Sequence, residues 1–135
     1  MPMNWTLTVY VAAGSAAGGV LRFLLGGIIQ RWSGGTFPTG TLLINITGSF
    51  LLGFLMRYAL ASQAVTPELR ALLTAGFCGG YTTFSTFSYE TAGLIEDGDY
   101  HRALLYIALS VIVSLIGTFL GFALAREVLR MREGM

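Results

Sequence analysis

The chain has 135 residues, of which 54% are hydrophobic and 11% charged, less than half the charge of an ordinary soluble domain, where about a quarter of residues are charged. That surface could not keep a soluble monomer dispersed. The eight basic residues, all Arg, nearly cancel the seven acidic ones, so nothing points to nucleic acid. One cysteine and one histidine leave no internal disulfide, multi-cysteine metal site or histidine cluster.

Residues 1–21, 32–56, 71–89 and 103–125 carry no Asp, Glu, Lys or Arg. A helix that crosses a bilayer needs about 20 mostly apolar residues. Four such runs predict an all-α, polytopic membrane protein. It forms one domain over 1–135, with helices at roughly 5–30, 38–60, 68–95 and 100–127. The small residues of AAGSAAGG suit a cleaved signal peptide, but the preceding MPMNWT has no positive charge, which argues against one. The connectors RWSGGTFP, SQAVTPE and EDGDY are short. Trp5, Trp32, Tyr58 and Tyr100 fall near helix ends, where interfacial aromatics belong. With four spans both termini lie on one side, which carries Arg57, Arg70, Arg126, Arg130 and Arg132. The other side carries Arg31 and Arg102. The bias leans toward a cytoplasmic N-terminus, and it is weak enough to permit insertion in both orientations.

In the first helix Gly14, Gly18, Arg22 and Gly26 recur every four residues and share a face. The glycines suit close helix packing. Arg22 must snorkel, pair or meet water. An anion-attracting role and a structural carbonyl partner both stand.

In the second helix Thr41, Asn45 and Ser49 repeat at four-residue spacing. The Asn45 amide, in mid-helix, cannot stay unpaired in hydrocarbon. It serves either an interhelical hydrogen bond or a donor facing a pore.

The third helix holds Gly76, Gly79 and Gly80, three glycines in five residues. Glycine weakens a helix, so a break is expected over Gly76–Gly80. The freed carbonyls then need protein, water or an ion, and unwound carbonyls in transporters bind Na⁺. The alternative is a kink satisfied by Thr82 and Thr83. Phe84 and Phe87 follow on one face, beside Ser85 and Thr86. Ring edges are electropositive, so edges aimed at a pore favour an anion. Glu90 closes the stretch, with its role open between pairing to an arginine and solvation.

The fourth helix aligns Tyr106, Ser110, Ser114 and Thr118 at four-residue spacing. Single Ser or Thr residues bond back to their own helix. A whole stripe of hydroxyls, with Asn45, can form a track of uncharged donors.

The motifs GSAAGGVLRF, GTLLINITGSF and GFCGGYTTFSTFSYE, with the Ser110/Ser114 stripe, resemble the Fluc (CrcB-type) fluoride channels over nearly the whole chain. Tyr81 stands where that family has an aliphatic residue. The resemblance implies a passive, fluoride-selective anion channel that exports cytoplasmic fluoride and protects the cell from its toxicity. It implies a multi-pass protein of the bacterial inner membrane, built as an antiparallel, dual-topology homodimer with two pores. By position, Phe84 and Phe87 would face the pores and Asn45 would be the donor of the second helix. Tyr106, Ser110 and Ser114 would form the polar track, with Thr41 and Thr83 on the ion pathway and Arg22 as the arginine of the first helix. The backbone carbonyls of Gly79 and Thr82 would hold a structural Na⁺ at the dimer interface. The partners implied are fluoride, a second copy of the chain and membrane lipid.

Three other classes fit less well. A proton-coupled exporter of the small multidrug resistance type needs a membrane carboxylate in its first helix, where this chain has only Arg22. A non-transporting scaffold explains the glycine face and leaves the polar tracks unexplained. An enzyme would need a nucleophile–base set, and one His and one Cys far apart supply none. The segment GGYTTF also lacks the pattern of a potassium filter.

Overall fold

The computed structural model describes residues 4–134; residues 1–3 and 135 of the expected 1–135 domain lie outside the described residues. The chain is all-helical, and no strand occurs among the described residues. Helix α1 runs Trp5–Ser33. The Asn4 side chain accepts the Leu7 N–H at 3.3 Å to start it, and Gly34 at φ 63° ends it in the left-handed region. Helix α2 spans Thr39–Ala61, directly after Pro38. Thr66 caps the short helix α3, Pro67–Ala71, whose first residue is a proline with no N–H to satisfy.

Helix α3 runs on without a break into a π-helical stretch, Leu72–Cys78, and then into α4, Gly79–Tyr81. The chain opens at Thr82 and Thr83, which are extended at φ −87°, ψ 159° and φ −152°, ψ 112°. It re-enters helix as α5, Phe84–Glu96, with the Thr83 hydroxyl accepting the Thr86 N–H at 3.2 Å. Gly98 at φ 77° turns it into α6, Tyr100–Glu133.

The break therefore does not fall at Gly76–Gly80. Gly79 is helical at φ −63°, ψ −38°, and Gly76 lies inside the π-helical stretch. Gly76 and Gly80 serve a close approach instead. A Cβ on Gly76 would lie 2.9 Å from the Val11 carbonyl oxygen, and one on Gly80 2.5 Å from that of Ser15. From the other side, Cβ atoms on Gly14 and Gly18 would strike the carbonyls of Leu72 and Phe77. Backbone meets backbone where α1 crosses this segment, and the helical energy glycine forfeits is returned as contact.

Helix α2 packs chiefly on α6, and α1 on the π-helical stretch. The α2–α6 seam is also tight: a Cβ on Gly53 would sit 2.5 Å from the Thr118 carbonyl. The buried interior is small and includes Leu42, Ile44, Cys78, Tyr81, Ala103, Tyr106 and Ala125. Large apolar side chains such as Phe23, Trp32, Leu104, Ile112 and Phe119 point outward. Among the described residues three helices are long and apolar enough to cross a membrane: Trp5–Ser33, Thr39–Ala61 and the Tyr100–Arg132 portion of α6. The remaining stretch expected to cross, 68–95, is two helical pieces joined by the extended pair. The architecture is that of a multi-pass membrane protein.

Candidate functional site

The opening at Thr82–Thr83 interrupts the helical bonding. The Thr82 N–H keeps its helical bond to the Cys78 carbonyl at 3.0 Å, and the Thr82 hydroxyl donates to the same carbonyl at 3.0 Å. The Thr83 N–H donates to Asn45 Oδ1 at 2.8 Å, and Asn45 Nδ2 donates to the Thr83 carbonyl at 3.0 Å. One amide from mid-α2 thus holds both backbone groups of Thr83, on the two successive peptide units of the break. Of the two readings of Asn45, the interhelical bond is present, and the amide retains a second N–H.

Asn45 also lines a cavity of about 260 Å³, together with Ser49, Thr82, Thr83, Phe84, Phe87, Ser110 and Ser114. The hydroxyl oxygens of Ser110 and Ser114 are buried without a hydrogen-bond partner among the described residues. Buried polar groups almost always have partners, and these two lie along the wall of the smaller cavity. Thr118, next in the stripe, differs: its hydroxyl donates to the Ser114 carbonyl at 3.1 Å, the back-bond ordinary for a membrane helix.

Four rings run from this cavity towards the connector between α1 and α2. Phe84 and Phe87 lie 5.5 Å apart between centroids, Phe87 and Tyr106 5.2 Å, and Tyr106 and Phe37 5.6 Å at 77°. Tyr106 is fully buried, whereas Phe84, at the other end, is 78% exposed.

A second cavity, of about 590 Å³, is lined by residues that include Arg22, Gln30, Thr41, Thr83, Thr86, Glu90 and Asp97. Thr83 lines both cavities and stands between them. Glu90 accepts from the Thr41 hydroxyl at 2.8 Å and from the Tyr106 hydroxyl at 2.7 Å. It therefore ties α2, α5 and α6 together on the larger cavity. The Arg22 guanidinium makes no ion pair or hydrogen bond among the described residues, and it faces the larger cavity.

Of the residues expected on an ion pathway, Asn45, Thr83, Phe84, Phe87, Ser110 and Ser114 gather on the smaller cavity, and Arg22, Thr41 and Thr83 on the larger. Tyr106 lies between, its ring on Phe87 and its hydroxyl on Glu90. Gly79 begins the last helical piece before the opening, and Thr82 is the first extended residue of the opening itself. Sequence reasoning left Glu90 unassigned, although its three-residue spacing from Phe87 places both on one face of α5. It also gave no role to Thr86 or Phe37. Phe37, in a connector, offered no periodic signal.

A family model described as CrcB-like protein, Camphor Resistance (CrcB), matches residues 9–122. A protein of Geobacter sulfurreducens named fluoride-specific ion channel FluC is 46% identical over 122 residues, covering 90% of this chain and 98% of its own. A protein of the same name from Rhizobium meliloti is 46% identical over 116 residues, covering 86% and 93%. Another, from Chlorobium phaeobacteroides, is 39% identical over 126 residues, covering 93% and 98%.

Proposed function

Because the chain belongs to the CrcB-like family, we propose that it is a fluoride-selective channel, an ion conductor and not an enzyme, through which cytoplasmic fluoride leaves the cell. The observation that carries this reading is the pair of hydroxyls on Ser110 and Ser114, unpartnered among the described residues, on a cavity that Asn45, Phe84 and Phe87 also line. Fluoride is small and strongly hydrated. A path that selects it must replace water with close donors. Hydroxyls, an amide N–H and ring edges do so without a full positive charge that would hold the ion in place.

Arg22 sits at the larger cavity, where a guanidinium with no ionic partner among the described residues raises the local concentration of anions. From there the anion passes Thr83 and meets the Asn45 N–H. It then moves along Ser110 and Ser114 against the edges of Phe84 and Phe87. Glu90 does not bind the anion. It holds the Thr41 and Tyr106 hydroxyls, and through Tyr106 it fixes the ring on which Phe87 rests. Transport is passive: fluoride enters cells as the neutral acid, dissociates at cytoplasmic pH, and leaves as the anion down its gradient.

The working unit of this proposal is an antiparallel homodimer with two pores. The outward apolar side chains and the exposure of Phe84 support it, since a side chain meant to line a narrow path needs cover that one copy does not provide. A structural Na⁺ belongs to the same reading, held by the carbonyls of Gly79 and Thr82 of each copy. Its fit rests on two observations. The Thr83 N–H that a continuous helix would give to Gly79 goes to Asn45 instead. No group of three or more His, Cys, Asp or Glu that could hold a metal occurs among the described residues, so a neutral carbonyl set suits a hard monovalent cation. When bound, the ion supplies positive charge to bare carbonyls and joins the two copies.

Efflux from liposomes that contain only this purified chain tests the function. Fluoride-loaded vesicles should empty rapidly and chloride-loaded ones should not. Equal rates for the two halides would end the selectivity claim.

A further inference from the structure

The Asn45 amide lies where two requirements of the proposed channel meet. In a continuous α-helix each carbonyl accepts the N–H four residues on, so the Gly79 carbonyl would take the Thr83 N–H. Gly79 is itself helical at φ −63°, ψ −38°, and its carbonyl points along the axis towards the break. The Thr83 N–H is held by Asn45 Oδ1 at 2.8 Å, and the Thr83 carbonyl by Asn45 Nδ2 at 3.0 Å. The preceding N–H, of Thr82, goes to Cys78. The Gly79 carbonyl thus loses its helical donor to a side chain that comes from α2, 38 residues away in sequence.

We propose that Asn45 is a positioning residue for the backbone cation site: by capturing the Thr83 N–H it keeps the Gly79 carbonyl free to meet Na⁺. The inference rests on the Na⁺ reading given above and adds the residue that maintains the site. Without an acceptor at position 45, the cheapest partner for the Thr83 N–H in a low-dielectric setting is the Gly79 carbonyl itself, because a buried N–H left unpaired is costly. Winding the helix on by one residue would close the site. The same amide holds a second N–H, the one proposed to meet fluoride. The cation site and the anion donor are therefore maintained by one side chain, and each ligand should favour the geometry the other needs.

Thermal unfolding of the purified chain in detergent, in NaCl against N-methyl-D-glucamine chloride at equal ionic strength, tests this without measuring transport. A ligand that binds only the folded state raises Tm in proportion to the logarithm of its concentration once binding saturates. The wild-type chain should melt higher in Na⁺. Asn45→Leu has no acceptor for the Thr83 N–H and should show a flat response, or need at least tenfold more Na⁺ for the same shift. Asn45→Asp keeps an acceptor oxygen in either protonation state and should retain the Na⁺ shift while losing fluoride flux. A wild-type Na⁺ shift in Asn45→Leu overturns the proposal and leaves the Na⁺ site standing. No shift in the wild-type chain overturns the Na⁺ reading and the proposal with it. If Asn45→Leu does not fold, Asn45→Asp decides alone, a retained shift supporting the proposal and a flat one overturning it.

Discussion

Replacing Ser110 and Ser114 by alanine should separate stability from conduction in an unusual direction. A buried serine that is hydrogen-bonded normally costs about 1 kcal/mol to remove, whereas a buried hydroxyl without a partner is itself a cost of about 1–3 kcal/mol. Both oxygens belong to the second kind. The cavity they line, about 260 Å³, has room for several waters, each taking roughly 30 Å³, and water relieves part of that cost. Each alanine variant should therefore unfold at the same temperature as the wild-type chain or slightly above it. Conduction should move the other way. A hydrogen bond to a charged partner is worth about 1.5–3 kcal/mol, which on a barrier is about 10- to 150-fold in rate. A water can stand in for one lost donor, so each single variant should lose about tenfold and the double variant considerably more. Fluoride efflux from liposomes and thermal melting in detergent give the two numbers. A double variant that conducts like the wild-type chain would remove the serines from the path. One that loses stability together with flux would show that the hydroxyls have structural partners.

Phe84→Ile and Phe87→Ile keep bulk and remove the ring quadrupole; each should lower fluoride flux at least about tenfold, near 1.4 kcal/mol on the barrier, with little change in yield, and normal efflux in both would make the rings mere packing. A cysteine introduced in the Asp97–Asp99 turn should label only in part with an impermeant reagent on intact cells and fully after permeabilisation. The native thiol, Cys78, is buried and adds little background, and all-or-none labelling would exclude insertion in both orientations. Gly18→Ala should destabilise the fold by about 1–3 kcal/mol or more through overpacking, because its Cβ would meet the Phe77 carbonyl and lie 2.8 Å from the Tyr81 nitrogen. Gly19→Ala, whose Cβ would find its nearest neighbour 4.0 Å away, should change stability by less than about 0.5 kcal/mol, and equal melting temperatures for the two variants would refute this packing.

The membrane class was legible because charge is absent from long runs, and lipid imposes that pattern on helices directly. The stripe Tyr106, Ser110, Ser114 was legible because helical spacing alone puts those residues on one face. The position of the break was not. Three glycines lower helix propensity wherever they stand, and sequence does not say whether they mark unwinding or the crossing of another helix. Here α1 lies against Gly76 and Gly80, and the chain opens two residues beyond Gly80, at Thr82 and Thr83, where Asn45 offers a substitute partner. That pairing spans 38 residues and has no local signature. Glu90 was unreadable for a related reason. Its partners, Thr41 and Tyr106, come from two other helices, and an acidic residue near a helix end is equally at home in water.

The π-helical stretch Leu72–Cys78 also bears on which changes of length the gene can absorb. A π turn is an α-helical turn that holds one residue more. Deleting a single residue between Leu72 and Cys78 would let that wide turn relax to ordinary winding while still closing one full turn, so Gly80, Tyr81 and Thr83 would keep nearly their present facing. An insertion has no such relief: unless a second wide turn forms, everything after it rotates by about 100° about the helix axis. Gly80 would then turn away from Ser15, Tyr81 would leave the interior, and Thr83 would no longer face Asn45. Connectors such as 62–66 can gain or lose residues at little cost, but between Pro67 and Thr83 a frame-preserving insertion should be far more damaging than the loss of one residue from the wide turn.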